Sequence, residues 1–263
     1  MVVYNGSCSA FSGSDLVIRF VSETGSTNED MKQLAAEGAA EGVWLRAGRQ
    51  SAGKGRMGRA WEGEDGNVYA STLVRMQAGD PSPPTLAFVT AVAVHSALSE
   101  FVGAGLLRIK WPNDIMACLP ADYGAGRSGG DYAKLCGMLM ERIGDAIIIG
   151  IGVNVVAAPH LPDRRATCLR DLGATGCDAA AVLSAMAEHF RSVLAQWRTY
   201  GTEPVIRAWL AQAHPAGTPL GVSLPDGTQV EGLFETLDKD GALILRLADG
   251  SSHAIHAGDV FLL

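Results

Sequence analysis

The apolar positions of residues 16–21 read as a strand, and the stretch that follows, 27–37, switches to a helical period with Met31, Leu34 and Ala35 on one face. Residues 43–47 are again apolar and strand-like, whereas 48–66 hold too much glycine to form either element. Residues 67–75 predict a third strand. Residues 84–102 predict a long helix opened by proline, so nearly all-apolar that it must pack against a sheet over much of its surface.

Strands are expected over 107–111 and 134–142, on either side of an irregular segment, 116–133, in which Gly124, Gly126, Gly129 and Gly130 crowd together. A mobile surface loop is the expectation there. Residues 146–156 predict a buried strand, and 179–200 and 204–213 predict helices. After Pro215 the texture changes to short strands punctuated by Pro225-Asp226-Gly227, Asp238-Lys239-Asp240-Gly241 and Asp249-Gly250, the pattern of a small β-barrel or meander. The expected division is a unit of residues 1–214 and a small β unit of 215–263. Spacing alone supports α/β or α+β.

Composition narrows the class. The chain has 263 residues, 48% of them hydrophobic, and its 32 glycines show no three-residue repeat, which excludes collagenous and disordered chains. Its 5 cysteines include no C-x-x-C pair, so reduced thiols are expected rather than a disulfide framework or structural zinc. No basic, apolar leader opens the sequence, and the most apolar run, 146–158, is too short for a bilayer. A soluble cytoplasmic protein is expected. A formal charge of -7 argues against bulk binding to nucleic acid or an anionic membrane.

That charge is unevenly spread. Residues 46–59, RAGRQSAGKGRMGR, carry five cations and no acid, with glycines that let the backbone fold close to a ligand. Such a loop suits a polyanion, phosphate above all. Gly48-x4-Gly53-Lys54 imitates a phosphate-binding P-loop, but Gly55 stands where that motif needs Ser or Thr, and the glycines after it open a helix poorly.

Elsewhere the local patterns leave alternatives open. Ser26-Thr27-Asn28-Glu29 is either a capping box, with Ser26 as N-cap and Glu29 answering it, or a set of hydroxyls and an amide presented to a polar, uncharged ligand. Lys110-Trp111-Pro112-Asn113-Asp114 is either a strand end with an Asx turn or a group suited to nucleotide phosphates and magnesium. Lys134 opens an apolar strand in which Gly137 permits close approach of a ligand, and Asn154 places an amide needing a partner among apolar residues.

Taken in order, GSTN at 25–28, QSAGKGRMGRAW at 50–61, Asn67 with its strand, KWPND at 110–114, KLCGMLME from Lys134 and GIGVNV at 150–155 resemble the biotin protein ligases. The resemblance covers most of residues 16–156, and the β unit after Gly217 agrees with it. It implies a mixed, largely antiparallel sheet backed by helices, followed by an SH3-like barrel. It also implies a two-step reaction: biotin and ATP give biotinyl-5′-adenylate, and biotin then passes to a lysine of a biotin carboxyl carrier domain of a biotin-dependent carboxylase.

By that resemblance Lys134 and Arg56 are catalytic. Ser26, Thr27, Asn28, Gln50, Lys54, Gly55, Arg56, Lys134 and Gly137 would bind biotin. Arg56, Arg59, Trp61, Asn113, Asp114, Lys134 and Asn154 would bind ATP, with Asp114 as a candidate Mg2+ ligand. The chain departs from the family pattern at Lys54 and Met57, where basic residues or arginine are usual, and in about a dozen extra residues within 116–133. Only about 25 residues precede Ser26, too few for the DNA-binding unit of bifunctional relatives, so a ligase without operator binding is expected, as monomer or homodimer. The competing expectations are a lipoate protein ligase, disfavoured because a dithiolane has no use for a polar cluster, and a non-catalytic module binding biotin or its adenylate.

Overall fold

The computed structural model describes residues 16–61, 64–119, 132–161 and 164–263. The glycines at 124–130, and with them most of the expected mobile loop, lie outside the described residues.

Seven strands form the large sheet: β1 (Val17–Thr24), β2 (Val43–Gln50), β3 (Val68–Arg75), β4 (Leu107–Lys110), β5 (Asp114–Cys118), β6 (Tyr132–Ile143) and β7 (Ala146–Val153). Their spatial order is β1-β2-β3-β7-β6-β5-β4. Only β1 and β2 run parallel, joined by α1 (Thr27–Ala36); every other neighbouring pair is antiparallel. Two strands differ from the sequence expectation. β2 continues to Gln50, because β1 pairs with it as far as Thr24 opposite Gln50. Asp114 to Cys118 is not a turn running into a loop but a strand pairing back onto β4, with Lys110 opposite Asp114.

Alternation along the strands sorts the sheet into two faces. Val68, Ala70 and Val74 of β3 and Ile147, Ile149 and Ile151 of β7 join one apolar cluster with α2 (Leu86–Val102) and α3 (Ala179–Tyr200). The near-continuous apolarity of α2 follows, since it is packed into this core. Tyr69, Leu73 and Ile148 point the other way and meet Met31, Leu34 and Ala35 of α1. α1 covers only part of that second face. Beyond its N-terminus the strands present Gly137, Gly150 and Gly152, and there the sheet is left open to a cavity.

The helix starts differ in kind. Asp178 caps α3, its carboxylate accepting from Ala180 N (2.9 Å) and Ala181 N (2.8 Å). Ser26 holds the corresponding place before α1 with an extended backbone, but its side chain makes no capping hydrogen bond, and Glu29 turns to Lys32 and Lys54 instead. The capping-box reading is therefore corrected, and the first turn of α1 is left to face the cavity.

α4 (Glu203–Gln212) leads to a five-stranded antiparallel sheet of β8 (Pro219–Ser223), β9 (Gln229–Leu237), β10 (Leu243–Arg246), β11 (Ser252–Ile255) and β12 (Asp259–Leu262), ordered β11-β10-β9-β8-β12, consistent with an SH3-like barrel. Its turns are built as the sequence suggested: Asp226, Asp238 and Asp249 each accept backbone N–H groups, ahead of Gly227, Gly241 and Gly250 with positive φ. The two sheets share one core. Trp209 of α4 packs edge-on against both Phe88 and Phe234, and Trp111 Nε1 donates to Gly241 O at 3.1 Å.

Candidate active site

The cavity holds about 520 Å³ and lies between the N-terminus of α1, the open face of the sheet, the residue 54–61 loop and β12. Its two ends differ in chemistry.

At one end the polar groups are neutral, mostly buried and hydrogen-bonded to one another. Gln50 Oε1 accepts from Thr27 N (2.7 Å) and from Thr27 Oγ1 (3.0 Å). Ser71 Oγ lies 2.8 Å from Thr27 Oγ1 and 2.6 Å from Asn28 Oδ1. Asn28 Nδ2 donates to Glu141 Oε2 at 2.8 Å, and Glu141 in turn pairs with Lys32 at 2.7 Å. Glycines make room for this arrangement. A Cβ on Gly150 would collide with the Asn28 amide, and one on Gly152 would collide with the indole of Trp61. Gly152 and Gly137 are register partners on β7 and β6, so the indole lies in a shallow lane two strands wide, with Lys134 Nζ 5.4 Å from its ring.

At the other end the groups are charged. Asp114 sits between two lysines, Lys134 Nζ at 2.7 Å and Lys110 Nζ at 3.5 Å. Burial works to raise the Asp114 carboxyl, but Lys134 and Lys110 outweigh it and hold the group below the ordinary carboxylate range. Burial also lowers the Lys110 ammonium, with Asp114 opposing. Arg56 reaches Asn113 Oδ1 (3.3 Å) and Gly258 O (3.4 Å), and Asn113 is itself fixed by donating to Met138 O (2.6 Å). Arg59 donates to both oxygens of Asp259, at 2.9 and 2.7 Å. Lys110 Nζ donates to Val260 O at 3.1 Å. In all, six cationic side chains (Lys54, Arg56, Arg59, Lys110, Lys134 and Arg164) and two carboxylates line the cavity of a protein whose net charge is -7.

The expected residues mostly come together. Ser26, Thr27, Asn28, Gln50, Lys54, Gly55, Arg56, Arg59, Trp61, Asn113, Asp114, Lys134, Gly137 and Asn154 all line this one cavity. Not all of them turn toward it. The amide of Asn154 is committed to Thr167 O at 3.0 Å and Lys134 O at 3.4 Å. Lys54 is exposed at the rim, paired with Glu29 at 3.2 Å. The five-cation loop is corrected to three. Arg46 and Arg49 belong to β2, where Arg46 stacks on Phe20 with its guanidinium 5.2 Å from the ring and Arg49 pairs outward with Glu23. Asp114, the candidate metal ligand, already serves two ammonium groups with its carboxylate, so a cation there would have to share it with Lys110 and Lys134.

Asp259, Val260 and Arg164 line the cavity without having been expected there, and Ser71 and Glu141, behind its wall, hold Thr27 and Asn28. Ser71 had a local signal, a hydroxyl within the buried strand VYASTLVR. The others sit far along the chain from the groups they touch.

Two families match the sequence: the Biotin/lipoate A/B protein ligase family over residues 17–154 and the Biotin protein ligase C terminal domain over 221–263. The chain is 35% identical over 252 residues to a biotin–acetyl-CoA-carboxylase ligase of Paracoccus denitrificans, an alignment covering 92% of this chain and 98% of that protein. It is 32% identical to the Mycobacterium tuberculosis protein of the same name, over 91% of this chain and 86% of that one. Among solved structures, the biotin protein ligase from Aquifex aeolicus in complex with biotin and ATP superposes with a TM-score of 0.77 over 94% of this chain and 99% of that one, at 22% identity, and so shares the fold.

Proposed function

Because the chain belongs to the Biotin/lipoate A/B protein ligase family, we propose that it is a biotin protein ligase, which activates biotin with ATP and transfers it to a lysine of a biotin carboxyl carrier domain. The observation that carries this reading is one cavity joining a neutral hydrogen-bonding end to an end lined by cations. Biotin needs the first for its ureido ring, and the triphosphate of ATP needs the second.

In the first step a biotin carboxylate oxygen bonds to the α-phosphorus, and the bond from that phosphorus to the bridging oxygen of pyrophosphate breaks. Two anions are forced together, so the rate depends on cations fixed where charge accumulates. Lys134 and Arg56 supply them, with Lys110 and Arg59 beside them. Ser26, Thr27, Asn28 and Gln50 hold the ring, and Gly137 and Gly152 let the Trp61 indole lie close to the sheet beside the acyl chain. Trp61, Asn113 and Asn154 border the adenylate, while Lys54 and Gly55 form the rim that closes over it. In the second step the carrier lysine amine attacks the acyl carbon, AMP leaves with the bond electrons, and the amine proton passes to water. Asp114 keeps Lys110 and Lys134 in place. Magnesium carried by ATP would offset part of the triphosphate's charge. A cytoplasmic location fits Cys118, Cys136, Cys168 and Cys177, which are unpaired among the described residues.

Transfer of labelled biotin to a carrier domain in the presence of ATP tests the reading. Pyrophosphate release with lipoate but not with biotin would replace it with the lipoate ligase, and tight biotin binding without adenylate formation would replace it with a binding module.

A further inference from the structure

Where β7 leaves the sheet, one side chain steers the backbone. Val68 pairs with Val153, so Asn67, just before β3, stands beside the turn into residues 154–157. Asn67 is buried, and its Oδ1 accepts from three successive backbone groups, Val155 N (2.8 Å), Val156 N (3.0 Å) and Ala157 N (3.3 Å). Its Nδ2 donates to Ala157 O at 2.9 Å. Ala157 is therefore held at both its N–H and its carbonyl, which fixes the direction in which the chain continues. A carboxylate of the same shape could accept the three N–H groups but would set oxygen against the Ala157 carbonyl. Gly66 lets the turn come this close, since a Cβ there would meet Val156 Cγ2 at 2.9 Å.

The same segment is anchored at its far end on the charged part of the cavity. Lys134 N donates to Arg165 O (2.9 Å), Thr167 N donates to Lys134 O (3.0 Å), and Asn154 Nδ2 donates to Thr167 O (3.0 Å). Between the two anchors Pro159, His160, Leu161 and Arg164 line the cavity, and Arg164 is near enough to Asp114 and Lys110 for its charge to act on both. Residues 157–161 belong to neither helix nor strand, so no ladder of backbone hydrogen bonds sets their course. The anchors decide where these side chains stand.

We propose that Asn67 is a positioning residue for the nucleotide: by fixing the course of residues 155–161 it places the wall against which ATP binds, without touching ATP itself. The inference rests on the ligase reading and deepens it, because Asn67 lies outside the cavity lining and its hydrogen bonds are separate from those of the neutral end. ATP affinity is thereby set apart from biotin affinity.

Asn67→Asp is the decisive substitution because it keeps shape and the acceptor for three N–H groups, and changes only the atom that faces Ala157 O. The expected result is a rise of roughly ten-fold in KM for ATP, with biotin affinity by calorimetry within about two-fold and the fold intact by thermal melting. Pro159→Gly repeats the test without adding charge: it frees the backbone just past the Asn67 anchor and should raise KM for ATP by about three-fold, again sparing biotin. An unchanged KM for ATP in either folded variant overturns the proposal. So does an equal weakening of ATP and biotin, which would make Asn67 merely structural. Failure of the ligase reading is distinguishable, since the unsubstituted protein would then form no adenylate from ATP and biotin at all.

Discussion

The two ends of the cavity solve the same problem, polar groups set inside a protein, in opposite ways. At the neutral end a chain of hydrogen bonds runs from Lys32 through Glu141, Asn28, Ser71 and Thr27 to Gln50, so a ligand adds to a network the protein has already built. At the charged end the cations are held by carboxylates, Asp114 and Asp259, whose place an incoming phosphate must take or share. One end recognises through direction and is insensitive to salt. The other recognises through charge, and its affinity is a difference between two anions competing for the same arginines and lysines.

The sharpest way to break this comparison is at Lys134. Lys134→Met should lower the rate of adenylate formation by about 10² to 10³ while biotin affinity by calorimetry falls far less. Equal losses in both would show that the ends do not act separately. Because Asp114 loses its nearer cation, Lys134→Met/Asp114→Asn, judged by thermal melting, separates loss of rate from loss of fold.

Acid should act on the support of the charged end. His214 is buried against Tyr132, and burial, aided by Lys110 and Arg108, pushes its imidazole down to about 4. The folded protein keeps His214 neutral, whereas the unfolded chain takes up a proton below the usual histidine value. Stability is therefore lost as pH falls from about 6.5 toward 4, by about 3 kcal/mol at most. Denaturant titrations at pH 7 and 4.5 should show this loss, and His214→Phe should reduce it.

At the neutral end Gly150→Ala places a methyl group on the Asn28 amide. The expected cost is about 1–3 kcal/mol in stability and a rise of at least ten-fold in KM for biotin, with KM for ATP little changed. The smallest effect is expected at Asp259→Asn. The Arg59–Asp259 pair is partly exposed, so its removal should change KM for ATP by only about two- to five-fold, downward at low salt where Asp259 competes best. Steady-state kinetics at two ionic strengths measure it. A change confined to biotin would overturn the assignment of this pair to the charged end.

Much of this was legible in the sequence because it is local. Met31, Leu34 and Ala35 announce α1, the apolar runs announce β3 and β7, and the small residues at 137, 150 and 152 are visible as glycines inside strands. Ser26 to Asn28, Gln50 and Lys134 stand out for the same reason: each is a polar group at the edge of an apolar element. What stayed hidden depends on register or on distance along the chain. Residues 46–59 read as one cationic loop until β2 is seen to run to Gln50, whereupon strand alternation sends Arg46 onto Phe20 and Arg49 outward. The partnership of Arg59 with Asp259 spans 200 residues, and that of Asn28 with Glu141 spans 113. No pattern in a short window encodes either. Asp114 is a related case, since a buried carboxylate next to a turn suggests a cation, and the cations paired with it in the structure are Lys110 and Lys134.

The dependence of the charged end on β12 has a consequence for the order of synthesis. The ribosome makes Lys54 through Arg164 long before Asp259, and the strand that carries Asp259 and the Val260 carbonyl is the last described element to emerge. A nascent chain that has reached Ile255 can already complete the chain of hydrogen bonds around Thr27. Its Arg59 has no Asp259 to rest on and its Lys110 no Val260 carbonyl, so the charged end is the last part of the cavity to be set.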